Sequence, residues 1–141
     1  FELSIYGPID SSYKEIKKFL NNKDFDNCFK GPVMGEDKIQ AFVENDIFLL
    51  PSIFEGEPIA FLEASSFSKI CICSKEINTD INESQNFTFF IEDGLSEILK
   101  KLTMLKKKDI EYMQSASHSY SLKRSWQNIT TNLINVYKNK I

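Results

Sequence analysis

Short apolar runs alternate along this chain with longer stretches in which apolar residues recur every three or four positions. That rhythm reads as strands alternating with helices. Residues 1–6 form an apolar, core-like strand that stops at Gly7-Pro8. Ser11 or Ser12 can cap a helix in which Tyr13, Ile16, Phe19 and Leu20 share a face and the lysines turn outward. A short strand over 27–30 meets Gly31-Pro32, and a helix over 35–44 follows with Ile39, Phe42 and Val43 on one side. Residues 46–50 are a further strand, 58–67 a helix and 70–74 the next strand. Pro58 suits the first turn of its helix, where a missing N–H costs nothing. The polar stretch 75–86 reads as a loop and 87–91 as a strand. A helix over 94–105 carries Leu95, Ile98, Leu99, Leu102 and Leu105 as a stripe, and 110–117 is a short helix. The last helix, about 123–139, is capped by Ser125 and carries Trp126, Ile129, Leu133, Val136 and Tyr137 on its buried side.

Strands apolar on both faces and separated by helices imply a parallel sheet covered by helices, a Rossmann-like three-layer α/β sandwich. At 141 residues the chain fits one domain, 1–141, with enough length for a real core. It starts at Phe1 without a methionine, already inside a core-like strand, and reads as a piece of a longer protein.

Composition narrows the partners. Hydrophobic residues make up 42% and charged residues 26%, as in a folded globular domain. The net charge of -3 leaves no electrostatic footprint for nucleic acid. Cys28, Cys71 and Cys73 are odd in number and lack metal-ligand spacing. Cys71 and Cys73 would share a face of one strand, as reduced core thiols of a cytosolic protein. No apolar run approaches the roughly 20 residues that span a bilayer, and no signal peptide is visible. His118 is the one histidine, so histidine dyads and multi-histidine metal sites are excluded within the chain, and it reads as a surface or helix-end residue. The lysines at 100, 101, 106, 107 and 108 read as a solvated helix end.

The chemistry concentrates in 46–64, DIFLLPSIFEGEPIAFLEA. A strand ends at Pro51-Ser52, the chain turns through Glu55-Gly56-Glu57-Pro58, and a helix opens that carries Glu63. Open α/β sheets bind ligands in such a place, beyond the carboxyl ends of their strands. A helix N-terminus attracts phosphate through unpaired N–H groups and a partial positive charge. Gly56 would let the backbone come close to a ligand. A carboxylate one and a half turns into the helix, like Glu63, suits hydroxyl recognition better than capping. On charge pattern alone, Glu55, Glu57 and Glu63 read as a solvated acidic face.

The stretch 46–64 resembles the signature of the group-1 (family 4-like) retaining glycosyltransferases of GT-B architecture. In that family a strand ending Pro-Ser is followed by a Glu-Gly turn and a helix ending Leu-Glu-Ala, here Pro51-Ser52, Glu55-Gly56 and Leu62-Glu63-Ala64. Residues 3–7 are similar to the family's strand ending in glycine, Phe29-Lys30-Gly31-Pro32-Val33 to its strand ending Gly-x-Val, and 121–137 to its final helix. The resemblance implies the C-terminal, donor-binding half of a GT-B enzyme. Glu63 would accept hydrogen bonds from the ribose of a nucleoside diphosphate sugar. Glu55, the candidate catalytic residue, would steady the donor sugar near its anomeric carbon. The backbone at Gly56, Glu57, Pro58 and Ile59 would approach the diphosphate or sugar, and Pro32 and Val33 would border the nucleobase. For those last two, a tight turn after a strand is an equal reading.

The implied reaction moves a sugar from a nucleoside diphosphate to an acceptor hydroxyl, on a glycan or lipid-linked glycan, with retention. It calls for no cofactor and no metal, the donor nucleotide sugar being a substrate. The implied setting is polysaccharide or glycan biosynthesis, in the cytoplasm or peripherally at the inner face of the membrane. Catalysis would need an N-terminal acceptor domain absent from this chain, so the piece alone should be inactive. Three features depart from the family pattern: the basic residues expected upstream of Phe1 are not here, Glu57 replaces a commonly apolar residue, and 75–90 lacks the usual glycine-rich, Glu-containing turn. The last two keep open a non-catalytic α/β interaction domain that has lost donor binding, and half of a nucleotide-sugar epimerase, of similar two-domain fold, is a third reading.

Overall fold

A computed structural model describes residues 1–8, 27–56, 58–77 and 84–139. The chain divides into two compact units, Phe1–Ala41 and Phe42–Ile141.

In the first unit, β1 (Ile5–Tyr6) pairs in parallel with β2 (Phe29–Gly31). The Ile5 N–H donates to the Cys28 carbonyl at 2.7 Å, and the Gly7 N–H to the Gly31 carbonyl at 3.0 Å. The expected strand over 1–6 is thus cut to two residues, and its side chains are exposed, Phe1 at 76%. Two short strands present too little apolar surface to bury both of their faces. Gly31 ends β2 at φ 78°, a conformation that favours glycine. The helix α1 (Gly35–Glu44) starts where the sequence placed it, and its residues from Phe42 onward belong to the second unit. The helix expected over 11–20 lies outside the described residues.

The second unit holds a parallel sheet in the order β3 (Ile47–Leu50), β4 (Ile70–Cys73), β5 (Thr88–Phe90). Its register sets Phe48 beside Cys71 and Thr88, and Leu49 beside Ile72 and Phe89. Because side chains alternate across a strand, this divides the sheet into two apolar faces. Phe48, Leu50, Cys71, Cys73 and Phe90 face one core, covered by α2 (Ile59–Ser66) and α4 (Lys107–Lys123). Ile47, Leu49, Ile70, Ile72 and Phe89 face the other, covered by α3 (Leu95–Met104). Helices on both faces of a parallel sheet make the expected Rossmann-like three-layer arrangement. A 3-10 turn, Ile91–Asp93, joins β5 to α3.

Phe61 of α2, Phe87 and Tyr120 of α4 interlock at the centre of the first core. Their ring centroids lie 5.4 to 5.8 Å apart, and the Arg124 guanidinium sits 3.9 Å from the Tyr120 ring. Cys71 and Cys73 are free, buried thiols on that same face, as the two-residue spacing required. Burial pushes the Cys71 thiol up, and pushes Cys73 up to about 12, with the nearby negative charge of Glu92 adding to the second shift. Both are protonated and unreactive at neutral pH.

Helix α2 ends in a Schellman arrangement. The Ser68 N–H donates to the Ser65 carbonyl at 2.9 Å and the Lys69 N–H to the Ala64 carbonyl at 3.1 Å. Ser68 stands at φ 58° in the left-handed position that glycine usually fills. Ser117 of α4 secures this corner by donating to the Lys69 carbonyl at 2.7 Å, and His118 Nδ1 lies 3.1 Å from the Ser66 carbonyl oxygen. Replacing Ser68 with glycine removes the Cβ clash of that conformation, so Ser68→Gly is expected to stabilise by about 0.5–1 kcal/mol. A thermal midpoint raised by a few degrees checks it.

Two helices differ from the sequence reading. α4 spans 17 residues, not the short helix over 110–117. Lys107 and Lys108, exposed as expected of a solvated run, open its first turn after Lys106, and the serine-rich stretch 115–121 continues it because Ser117 and Tyr120 pack inward. α5 (Trp126–Lys138) is capped as expected, the Asn128 N–H reaching Ser125 Oγ at 3.4 Å. Its stripe is not buried, however: Trp126 is 82% exposed and Leu133 53%. Amphipathic spacing marks a face capable of burial, and the described residues leave this one largely exposed. Among the described residues, no helix is long and apolar enough to cross a membrane.

Candidate functional site

The carboxyl edge of the second sheet is built from the three connections that leave β3, β4 and β5. The first is 51–58. Ser52 Oγ donates to Glu55 Oε1 at 2.6 Å, and the Glu55 backbone forms a parallel bridge with Ile77, in the connection after β4. The half-buried Glu55 is therefore held twice, by a hydroxyl on its carboxylate and by a strand-like bridge on its main chain. Sequence reasoning placed Glu55 here but had no signal for the Ser52 contact. Ile53 and Phe54, 87% and 83% exposed, lie between the two residues and present apolar surface at this edge.

Gly56 is exposed and does not occupy the left-handed region, and a Cβ added there would meet nothing within 4 Å. The protein's own packing therefore does not demand glycine at this position. Glu57 lies outside the described residues. Pro58 is buried and precedes the helix as its cap residue rather than sitting in its first turn. Its carbonyl accepts from the Phe61 and Leu62 N–H groups at 2.9 and 3.2 Å. Having no N–H, Pro58 can shape a diphosphate site but cannot donate to one. No side chain among the described residues caps α2.

Helical geometry decides where Glu63 lies. Phe61, Ala64 and Ser65 are buried, which leaves Ile59, Glu63 and Ser66 on the opposite, outward face. Ile59 is 60% exposed and Glu63 half-buried. Helical side chains lean towards the N-terminus, so Glu63 is directed over the first turn of α2. Pro32 and Val33 belong to the first unit, where they link β2 to α1, Pro32 exposed and Val33 half-buried.

The connections after β4 and β5 are tied together. The backbone turns at 74–77, with the Ile77 N–H donating to the Ser74 carbonyl at 3.4 Å. Both carboxylate oxygens of Glu92, in the 3-10 turn, accept from the Lys75 N–H at 3.2 and 3.3 Å. Lys75 Nζ pairs with Asp93 at 3.2 Å and lies 5.9 Å from the centre of the Phe90 ring. The Glu92 carboxyl is held below the ordinary carboxylate range, first by its own backbone N–H and then by the N–H and charge of Lys75 and the side chain of Glu76. This pinned turn stands where the sequence showed only a departure from the glycine-rich pattern.

A strand, a Pro-Ser-x-x-Glu turn and a helix bearing a second glutamate thus converge at one sheet edge. Residues 1–102 match the family model described as glycosyl transferases group 1. The chain belongs to this family. Its fold is accordingly the Rossmann-like α/β domain of GT-B enzymes, and its activity that of a glycosyltransferase. A search of curated proteins finds no match. In this glycosyltransferase domain the matched segment contains Glu55, Glu63 and the Lys75–Glu92 link, and ends within α3.

The open space at Gly56 separates stability from binding. Gly56→Ala is expected to leave the thermal midpoint unchanged or slightly raised, because alanine restricts the unfolded chain and meets no clash. If the backbone here approaches a nucleotide sugar, the same change should weaken donor binding about tenfold, as a methyl group intrudes on the contact. Unfolding and titration on one sample check both halves.

Proposed function

We propose that this chain is the donor-binding half of a retaining glycosyltransferase that moves a sugar from a nucleoside diphosphate to an acceptor hydroxyl. The observation that carries the reading is the pair of glutamates beyond β3, within a segment that matches the family. Glu55 is braced by Ser52 and Ile77, and Glu63 leans along the outward face of α2. In this reading Glu63 accepts hydrogen bonds from the ribose hydroxyls, and Glu55 orients the donor sugar near its anomeric carbon. The first turn of α2, beginning at Ile59, turns its N–H groups and positive dipole end towards the diphosphate.

The work of such a site is positioning and stabilising the leaving diphosphate. Its own oxygen helps deprotonate the acceptor as it departs from the face that the acceptor enters. No metal is assigned a role, and the acceptor is a glycan or lipid-linked glycan. The setting is polysaccharide or glycan synthesis, in the cytoplasm or at the inner face of the membrane.

Titrating the full protein that carries this chain with UDP, GDP and ADP, and with UDP-glucose, GDP-mannose and ADP-glucose, tests the reading. Saturable binding of one nucleotide series, weakened by substitution of Glu63, is the expected result. The absence of binding in every series would leave an interaction domain that has lost its donor. Interconversion of free sugar nucleotides without transfer would point to an epimerase.

A further inference from the structure

The geometry points to Glu92 as a positioning residue for Glu55, acting through the turn at 74–77. The inference rests on the reading of Glu55 as the donor-sugar contact. Glu55 has two supports: Ser52 fixes its carboxylate, and the bridge to Ile77 fixes its backbone. Ile77 is buried, at 3% exposure, and closes the turn that begins at Ser74. Ser74 itself donates to the Leu50 carbonyl at 3.3 Å, so the start of the turn is part of the sheet. Among the described residues, its middle has no strand partner. There the Lys75 N–H, which would otherwise point to water, is taken by both oxygens of Glu92. Asp93 and the Phe90 ring hold the other end of the same lysine. The pin thus runs from the 3-10 turn after β5, through the turn after β4, to the glutamate after β3.

A carboxylate receiving a backbone N–H is a stronger fixture than the exposed Lys75–Asp93 ion pair, which alone contributes little. Removing Glu92 should therefore loosen 74–77 without unfolding the sheet, since the strands and both cores remain. Glu92→Gln keeps an oxygen that can accept from Lys75, so it should preserve most of the pin.

Amide hydrogen exchange on the full protein, wild type against Glu92→Ala and Glu92→Gln, is the deciding measurement. Glu92→Ala should speed exchange about threefold to tenfold in segments 74–77 and 52–56 together, and Glu92→Gln should restore most of the protection. Faster exchange confined to 74–77, no change in either segment, or equal effects of the two variants would overturn the proposal. Release of nucleoside diphosphate from UDP-glucose, GDP-mannose and ADP-glucose supplies the functional half. There, Glu92→Ala should lower kcat about threefold to tenfold with KM little changed, and add nothing to the loss caused by Glu55→Ala. Independent, additive losses would also overturn it. If Glu55→Ala leaves kcat intact while exchange at 52–56 still answers to Glu92, the donor-sugar reading has failed and the mechanical link stands.

Discussion

Glu63→Ala is expected to cut the affinity of the full protein for its donor nucleotide, and kcat/KM with it, by about ten- to a hundredfold. The estimate follows from the loss of one or two hydrogen bonds from hydroxyl groups to a carboxylate, each worth about 1.5–3 kcal/mol, offset in part by water entering the space. Glu63→Gln retains an acceptor oxygen and should lose less. The fold should be nearly indifferent, because Glu63 lies on the outward face of α2 opposite Phe61, Ala64 and Ser65. A thermal midpoint within about 2 °C of wild type would bear that out, since outward-facing substitutions cost little. Calorimetric titration with UDP, GDP and ADP reads the affinity. Undiminished binding by Glu63→Ala would remove Glu63 from the site, whatever the remaining residues do.

The largest loss of stability should come from two positions earlier on the same helix. Phe61 is fully buried, with its ring 5.8 Å from that of Phe87 and 5.7 Å from that of Tyr120. Truncation to alanine removes buried surface and both aromatic contacts and leaves a cavity between α2, α4 and the sheet. Such changes cost about 3–5 kcal/mol, a large part of the roughly 5–15 kcal/mol that holds a domain folded. The thermal midpoint of Phe61→Ala should fall by about 10–20 °C. A fall of less than about 3 °C would mean that this aromatic group is not the centre of the core. Phe61→Leu, which refills most of the volume, should recover a good part of the loss.

The contrast between Phe61 and Glu63 shows what was legible in the chain. Both lie in one eight-residue helix, and the sequence separates them cleanly, because a period of 3.6 places them on opposing faces. The two-sided apolar strands Ile47–Leu50 and Ile70–Cys73 were equally plain, since a strand buried on both faces must be apolar throughout. Ser125 announced the start of α5 by its capping chemistry. Elsewhere local pattern misled. The pattern read only a short helix over 110–117, yet α4 runs on to Lys123, with Ser117 fully buried and donating to the Lys69 carbonyl, 48 residues earlier in the chain. The stripe on α5 promised burial that the described residues do not supply.

By itself, the sequence determined the alternation of strands and helices, the parallel sheet with both faces covered, the reduced thiols of Cys71 and Cys73, and the placing of Glu55 and Glu63 around a helix start. These follow from periodicity and short-range chemistry, which act over a few residues. Only the tertiary structure decided how Glu55 is held. Ser52 could have turned elsewhere, and nothing in the local pattern joins Ile77 to Glu55 or Lys75 to Glu92. Those contacts span up to 22 residues between Glu55 and Ile77 and 17 between Lys75 and Glu92. They exist because β3, β4 and β5 end in register at one edge, where three chain connections must satisfy each other's backbone groups.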